Sequence, residues 1–369
     1  MRAYVIVALI LILGITIPLN GAKAQSPVVG EPPSDSSSEG DIKELQKKAA
    51  AGDSSAAFSL GHAYETGKGV HPNFQLAAYW YRNAAEWGNA AAQSNLGLLY
   101  WLGEGVDKDK KEAVKWYLKA ARQGNANAMF NLGVAYYNGE GANVDYTRAY
   151  AWFLLASEAG SAAGQDAAKR SQTEHGRTAV CDAYLSVAEM YEKGVDLPRN
   201  LSLAEGWYRK AVKDHGCKGG TIRLASLFLN AGNYADALEW CKIAEKEGYS
   251  QGAFCLGHLY QQGLGVTLDL KAAFQWYDRA RKRGNAAAML ALGEMYENGQ
   301  ATNVDRVEAM VLFIRASAAN QEATAKARRL RAAMNEEEWK KTQQRLRLIH
   351  LDPQKIDIFL QGDGKQAAH

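Results

Sequence analysis

The sequence predicts an all-α protein, a solenoid (α/α superhelix) of about seven stacked helix hairpins. A phrase of 36 residues recurs along the chain and places a leucine at Leu60, Leu96 and Leu132. Within each copy a small and a large apolar residue stand three apart, as at Ala77 and Trp80, and therefore share one helical face. A single hairpin is too small to bury such a face, so neighbouring copies must stack to complete the core.

The first helix of each repeat carries a Leu-Gly pair that an aromatic residue follows. The five pairs are Leu60-Gly61, Leu96-Gly97, Leu132-Gly133, Leu256-Gly257 and Leu292-Gly293. Glycine inside a helix costs about 1 kcal/mol relative to alanine. Its recurrence at one position therefore predicts a close contact with another helix.

A glycine-rich turn such as GEGV leads into the second helix, which begins with a strong N-cap residue. These N-caps are Asn73, Asp109, Asp145, Asn200, Asp269 and Asp305. The side-chain oxygen of such a residue accepts a hydrogen bond from a free N–H of the first helical turn. The second helix then stops at glycine or asparagine, the residue types that adopt the left-handed C-cap conformation most cheaply.

The repeat is interrupted between Trp152 and Trp207, which are 55 rather than 36 residues apart. The extra segment is typical of a longer capping helix and predicts a junction near residue 175. The stretch 221–248 lacks the GxGV turn, and a basic helical segment follows Asn320. The predicted organisation is repeats 1–3 at 44–170, an insertion at 171–181, repeats 4–7 at 182–333, and a capping helix with a loose tail at 334–369.

Residues 1–24 have the pattern of a secretory signal peptide, with Arg2 before an apolar run and cleavage after Ala24. The run is shorter than the ~20 residues that a membrane-spanning helix needs. We therefore predict a periplasmic or secreted protein without a stable membrane anchor after cleavage; an uncleaved anchor is the alternative. Residues 25–43, rich in Ser, Pro and Gly, predict a disordered tether.

The composition argues against a partner that is bound mainly through its charge. Hydrophobic residues make up 47% and charged residues 22% of the chain, which are values of a globular protein. The formal charge of +3 falls to +1 when Arg2 and Lys23 leave with the signal peptide. We therefore expect no nucleic acid and no anionic membrane as the main partner.

The repeated phrase, A…LG..Y..G.GV..D…A..WY.KAA..G, resembles the Sel-one-like repeat (SLR) family, a relative of the tetratricopeptide repeat. The resemblance covers roughly residues 44–333 and implies a right-handed superhelix. Members of that family serve as envelope regulators, assembly adaptors and host-interaction factors. The resemblance therefore implies an exported, non-enzymatic scaffold that binds a protein or peptide.

All four cysteines follow residue 180, and an exported chain can form disulfides. Cys181 and Cys217 flank one predicted hairpin, and Cys241 and Cys255 lie about two turns on either side of a bend. We predict these two pairs. In the chain-entropy model the Cys181–Cys217 bond would stabilise the fold by about 4 kcal/mol and the Cys241–Cys255 bond by about 3 kcal/mol. The other connectivities and buried free thiols stay open.

An enzyme is the alternative, because the Helicobacter branch of the SLR family has been linked with penicillin binding and β-lactamase activity. The sequence contains no Ser-x-x-Lys, Ser-Asp-Asn or Lys-Thr-Gly motif, no Gly-x-Ser-x-Gly and no His-Glu-x-x-His. We predict no catalytic residue, no cofactor and no metal site. His62 and His258 occupy the same repeat position and are interpreted as groove-facing polar residues.

If the first helices line a concave groove, residues one, four and five places after the Leu-Gly glycine face it. The predicted groove has an apolar half and a polar, acidic half. Its residues are Phe58, His62, Leu98, Trp101, Leu102, Phe130, Val134, Tyr137, Glu189, Glu192, His258, Gln261, Glu294 and Glu297. A peptide segment with apolar anchors and a basic end would fit it. Burial of the apolar residues by a neighbouring repeat or by the tether is one alternative, and a cell-wall or surface glycan as ligand is another.

Basic residues cluster near the C-terminus and are interleaved with acidic ones. They are Lys326, Arg328, Arg329, Arg331, Lys340, Lys341, Arg345 and Arg347. We interpret them as a solvated capping face, with an anionic cell-wall or lipid contact as the alternative.

Overall fold

A computed structural model describes residues 39–361, which form helices and turns without a strand in that range. The helices are α1 (Glu39–Ala50), α2 (Ser54–Thr66), α3 (Phe74–Glu86), α4 (Ala90–Leu102), α5 (Lys110–Ala121), α6 (Ala126–Asn138), α7 (Tyr146–Glu158), α8 (Ala162–Lys193), α9 (Leu201–His215), α10 (Lys218–Asn230), α11 (Tyr234–Lys246), α12 (Ser250–Gln262), α13 (Leu270–Lys282), α14 (Ala286–Asn298), α15 (Arg306–Ser317), α16 (Gln321–Ala333), α17 (Glu336–Leu348) and α18 (Pro353–Gln361). The predicted all-α class is confirmed.

The chain forms two compact units, unit 1 up to Ala204 and unit 2 from Glu205. In each unit most successive helices pack against each other as hairpins. The predicted caps are confirmed, for example at Asp109, whose carboxylate accepts hydrogen bonds from the backbone N–H groups of Lys111 and Glu112. Gly103, which ends α4, has φ +81°, a conformation that glycine adopts without strain.

The Leu-Gly glycines provide the close helix contact that the sequence predicts. An aromatic ring from the second helix, 20 positions further on, lies directly on each of them. The pairs are Gly61 with Tyr81, Gly97 with Tyr117, Gly133 with Phe153, Gly257 with Tyr277 and Gly293 with Phe313. A methyl group on Gly97 would approach the Tyr117 ring to 2.8 Å, closer than carbon atoms can pack. The buried rings therefore need the bare helix backbone beneath them.

The second glycine of the GxGV turn has a separate role. Gly105, Gly141 and Gly265 each lie against the backbone that begins the preceding second helix, so the loop of one repeat rests on its neighbour. At the equivalent place in two repeats stand Asp196 and Ala301, which keep positive φ values of 66° and 59°. The sequence predicts a tight turn here, but this contact between repeats was not foreseen.

The predicted insertion at 171–181 lies within the long helix α8, which has a kink at Gly176. Two other segments differ from the predicted organisation. Helix α1 begins at Glu39, inside the predicted tether, since Ile42 is buried against the core. Part of the predicted loose tail forms α18, because Leu360 reaches the core of unit 2. Residues 1–38, with the predicted signal peptide and most of the tether, lie outside the described residues.

The cysteines are all oxidised. Cys241 of α11 and Cys255 of α12 form a disulfide with a Cα–Cα distance of 5.9 Å, which is the pair that the sequence predicts. Cys181 and Cys217 are also disulfide-bonded, so none of the four is a free thiol. Disulfides of this kind are typical of an oxidising compartment.

We expect no reactive thiol when the denatured, unreduced protein is titrated with a thiol reagent. Peptide mapping of the same sample should recover a Cys181–Cys217 crosslink and a Cys241–Cys255 crosslink. Because each bond closes a loop of the unfolded chain, reduction should lower the free energy of unfolding by about 3 kcal/mol or more. Four titratable thiols, or a crosslink between Cys217 and Cys241, would contradict the prediction.

Thr221 offers a test of buried polarity in unit 2. Its side chain is fully buried, and its hydroxyl has no hydrogen-bond partner among the described residues. We expect Thr221→Val to raise the free energy of unfolding by about 1 kcal/mol, since valine has the same shape without the unpaired hydroxyl. Thr342→Val is the control, because the equally buried Thr342 donates to the Glu338 carbonyl at 2.9 Å and should not gain stability. Urea unfolding would measure both; equal effects would argue against this explanation.

Candidate functional site

In unit 1 the predicted apolar wall of the groove is only partly exposed. Phe58, Leu98, Leu102, Phe130 and Tyr137 are half-buried, as is His62. The structure thus leaves an edge of each of these side chains at the surface of the first helices α2, α4 and α6.

Two residues of that wall are buried, which corrects the prediction. Trp101 is 6% exposed because it stands one turn after Gly97, on the side of α4 that faces the second helix; its ring centroid lies 6.4 Å from that of Tyr117. Val134 is 2% exposed, on the helix α6 that also contacts α8. Neither side chain can anchor a ligand in this arrangement.

The half-buried phenylalanines are shared between the core and the surface. The ring of Phe58 lies 5.7 Å from that of Tyr81, and Phe130 lies 5.7 Å from Phe153. One face of each phenylalanine thus packs on the aromatic ring that covers the Leu-Gly glycine. Aromatic pairs at this spacing stabilise each other, so these two residues are part of the fold as well as of the surface.

The position four after the Leu-Gly glycine holds that aromatic ring in place. The Tyr277 hydroxyl donates to Oε1 of Gln261 at 2.8 Å, and the Tyr81 hydroxyl donates to Glu65. Burial raises the pKa of Tyr277, and the negative charge of Glu294 raises it further. Gln261 therefore has an internal partner, a role that its place in the predicted groove did not reveal.

The acidic part of the predicted groove is neutralised within unit 2. Glu294 pairs with Lys326 of α16 at 2.7 Å, and both carboxylate oxygens of Glu297 accept hydrogen bonds from Arg329 at 2.8 Å. The hydrogen bond to Glu294 raises the pKa of Lys326. The prediction treated the groove and the basic cluster as separate surfaces, whereas the cluster supplies the counter-ions.

The remaining two glutamates of the predicted groove lie in unit 1 and make local contacts. The Glu189 carboxylate forms an ion pair with Lys193 at 2.7 Å, and the backbone carbonyl of Glu192 accepts a hydrogen bond from Arg199. Both side chains are half-buried. His258, in unit 2, is half-buried at the position equivalent to His62.

The outward positions of α2, α4 and α6 carry no Asp, Glu, Lys or Arg side chain. We call them the uncharged face; they are Ser55, Ser59, His62 and Thr66, then Ala91, Asn95, Leu98 and Leu102, then Asn127, Asn131, Val134 and Asn138. All except Val134 are at least partly exposed. The Asn138 side-chain N–H group is buried without a hydrogen-bond partner among the described residues. Amides that both donate and accept can pair with the backbone of an extended peptide.

Within residues 39–361, no group of three or more His, Cys, Asp or Glu side chains could hold a metal ion. Among the described helices, none is both long and apolar enough to cross a membrane.

The Sel1 repeat model matches residues 54–89, 90–125, 126–161, 181–214, 250–285 and 286–321, more than half of the chain. A solved protective antigen of uropathogenic Escherichia coli, described as displaying an SLR fold, is 27% identical over 84% of this chain and 72% of its own, with a TM-score of 0.42. A Sel1 repeat protein from Oxalobacter formigenes is 27% identical over 75% of this chain and 90% of its own, with a TM-score of 0.32. A comparison with curated proteins found no match.

Proposed function

Because the chain belongs to the Sel1 repeat family, we propose that it is an exported, non-enzymatic scaffold that binds a segment of another protein. Repeats of this family are commonly protein-interaction modules. The stacked hairpins of residues 39–361 present long helical surfaces, and such surfaces suit peptide recognition.

The observation that carries the proposal is the uncharged face of unit 1. Leu98 and Leu102 offer apolar contacts there, while Asn95 and Asn131 offer amides at equivalent positions of successive repeats. A partner segment that enters this face gains most if it is extended and neutral, because a charged segment would lose solvation without meeting a counter-ion. The sequence suggested a ligand with a basic end, but Glu294 and Glu297, which would bind that end, already form ion pairs within unit 2. A basic end on the ligand is therefore no longer expected.

The proposed place of action is the periplasm or the exterior of the cell. It rests on the predicted signal peptide at residues 1–24 and agrees with the oxidised cysteines. A protein partner in the cell envelope or at the cell surface is therefore the first to look for, ahead of a glycan.

Site-specific photo-crosslinking in intact cells tests this proposal. A photoreactive amino acid at Leu98 should capture a discrete protein, whereas the same probe at Lys115, an exposed position on the second helix α5, should not. Leu98→Asp should then weaken binding of the purified partner by about tenfold or more, because it places an unpaired charge in the contact. Lys115→Ala is the matched control.

Equal crosslinking from both positions, or binding that Leu98→Asp leaves intact, would show that the uncharged face is not the binding surface for the partner. Hydrolysis of nitrocefin that copurifies with the chain through rigorous purification would favour the enzyme alternative instead.

A further inference from the structure

The outer side of α3, the second helix of the first hairpin, exposes large apolar side chains. Tyr79 is 55% exposed, Trp87 47% and Leu76 39%. Together with the half-buried Trp80 they occupy one side of α3 and of Trp87, the residue that directly follows it, over about 16 Å at 1.5 Å per residue. We call these four residues the α3 stripe.

The equivalent tryptophans in the other repeats are covered. In three of them a basic side chain from the next turn lies over the ring; these are Lys119 over Trp116 at 3.7 Å, Lys210 over Trp207 at 4.7 Å and Arg279 over Trp276 at 5.5 Å. Trp152 is fully buried. For Trp80, the residue in the next turn is Asn83 rather than a basic residue. The ring that lies beside Trp80 is that of Tyr79, at a centroid distance of 5.0 Å, and Tyr79 is itself exposed.

On two other second helices an apolar outer side is covered by another segment, while single apolar side chains such as Leu203 on α9, 45% exposed, stay at the surface. On α7, which packs against α8, Ala151 and Leu155 are 0% and 3% exposed. On α15, which packs against α17, Val311 is 6% exposed. Where the outer side stays in solvent, as on α5, Lys115 and Lys119 occupy the same positions. The α3 stripe has the composition of a covered surface, yet no segment of residues 39–361 covers it.

The chain that precedes Glu39 begins on the correct side of the molecule to reach the stripe. Helices α1, α2 and α3 are joined by short loops, so neighbours run antiparallel and the start of α1 lies at the same end as the start of α3. The stretch from Pro27 to Pro33, PVVGEPP, contains three prolines and two valines. Six residue steps separate Pro33 from Glu39, which can span about 20 Å.

The chemistry of that stretch fits the stripe. Proline-rich segments bind surfaces lined with tyrosine and tryptophan, because their extended conformation loses little entropy on docking. Seven residues of polyproline II helix extend over about 20 Å, close to the length of the α3 stripe. A second copy of the protein is a poorer occupant, because so few exposed side chains fall well short of the roughly 800 Å² per partner of a stable interface.

We propose that the α3 stripe is a binding surface for a proline-containing segment and that Pro27–Pro33 of the same chain occupies it. This surface belongs to a second helix and is distinct from the uncharged face of the first helices, so the inference goes beyond the proposed function and stands without it.

Limited proteolysis of the full chain tests the occupant directly, because Val28 and Val29 lie inside the docking segment and neither is followed by proline. Elastase, which cleaves after small aliphatic residues, should cleave after these valines about fivefold faster when Tyr79→Ser and Trp87→Ser are combined, since cleavage follows the undocked population. Val144→Ser is the matched control, because Val144 is 53% exposed in the same unit but lies outside the stripe. Equal cleavage rates in the parent chain and both variants would overturn the proposal.

The reciprocal experiment measures the solvent accessibility of the α3 stripe. Val28→Asp combined with Val29→Asp should raise oxidative labelling of Trp87 by about threefold, because the free fraction of the surface sets its rate. Labelling of Tyr146, which is 53% exposed, serves as the internal reference. A synthetic peptide of residues 25–38 should restore the protection of Trp87. Labelling that does not rise, or a rise that the peptide does not reverse, would count against Pro27–Pro33 as the occupant.

Discussion

Replacement of Gly257 by alanine is expected to destabilise unit 2 by about 2 kcal/mol, although alanine is the better helix former. The new methyl group would approach the Tyr277 ring to 2.5 Å. That ring cannot move aside easily, because it is 1% exposed, is hydrogen-bonded to Gln261 and packs 5.6 Å from Phe254. The overpacking should therefore outweigh the gain in helix propensity.

Gly206 in α9 is the matched control for Gly257. It also lies inside a helix of unit 2, but a methyl group there would meet nothing within 4 Å. Gly206→Ala should therefore raise the free energy of unfolding by about 0.5–1 kcal/mol. Urea unfolding followed by circular dichroism would compare the two variants. A Gly257→Ala protein as stable as the parent would show that the Leu-Gly glycine is not selected for contact with the ring.

The fold was predictable because its signals repeat. A single Leu-Gly pair or a single N-cap is weak evidence, but five Leu-Gly pairs and six N-caps, each at the same place in its repeat, predict the hairpin, its caps and its tight turn together. The glycine contact was also predictable in kind, since a costly residue at one helical position needs a packing reason. Which ring fills the contact follows only from the structure.

The site was less predictable, because helical spacing gives the direction of a side chain but not its neighbours. Trp101 and Leu98 lie on the same helix three residues apart, yet Trp101 points to the second helix and Leu98 stays half-exposed. Glu297 and Arg329 are 32 residues apart in the sequence, and only the packing of α16 within unit 2 brings the two charges together. The α3 stripe was missed because the repeat pattern does not show which second helices another segment covers: the position of Tyr79 holds the exposed Lys115 on α5 but the buried Val311 on α15.

Trp101→Ala is expected to lower the free energy of unfolding of unit 1 by about 3–5 kcal/mol, the usual cost of a large aromatic residue lost from a core. Trp101 is 6% exposed, its ring packs near that of the fully buried Tyr117, and the Lys110 ammonium lies 5.0 Å from its centroid. A binding experiment that uses this variant would therefore report loss of folding rather than loss of a ligand contact. For this reason the functional test above uses Leu98.

Tyr79→Ala distinguishes burial from aromatic character as the origin of that loss. Tyr79 is an aromatic residue of the same unit but is 55% exposed, so its removal should change stability by less than about 1 kcal/mol. Urea unfolding of both variants, followed by circular dichroism, measures the difference. If Trp101→Ala unfolds at the same urea concentration as Tyr79→Ala, Trp101 does not belong to the core. Trp101 would then belong to the groove wall that the repeat spacing predicts, next to Leu98, and would be an anchor for the partner.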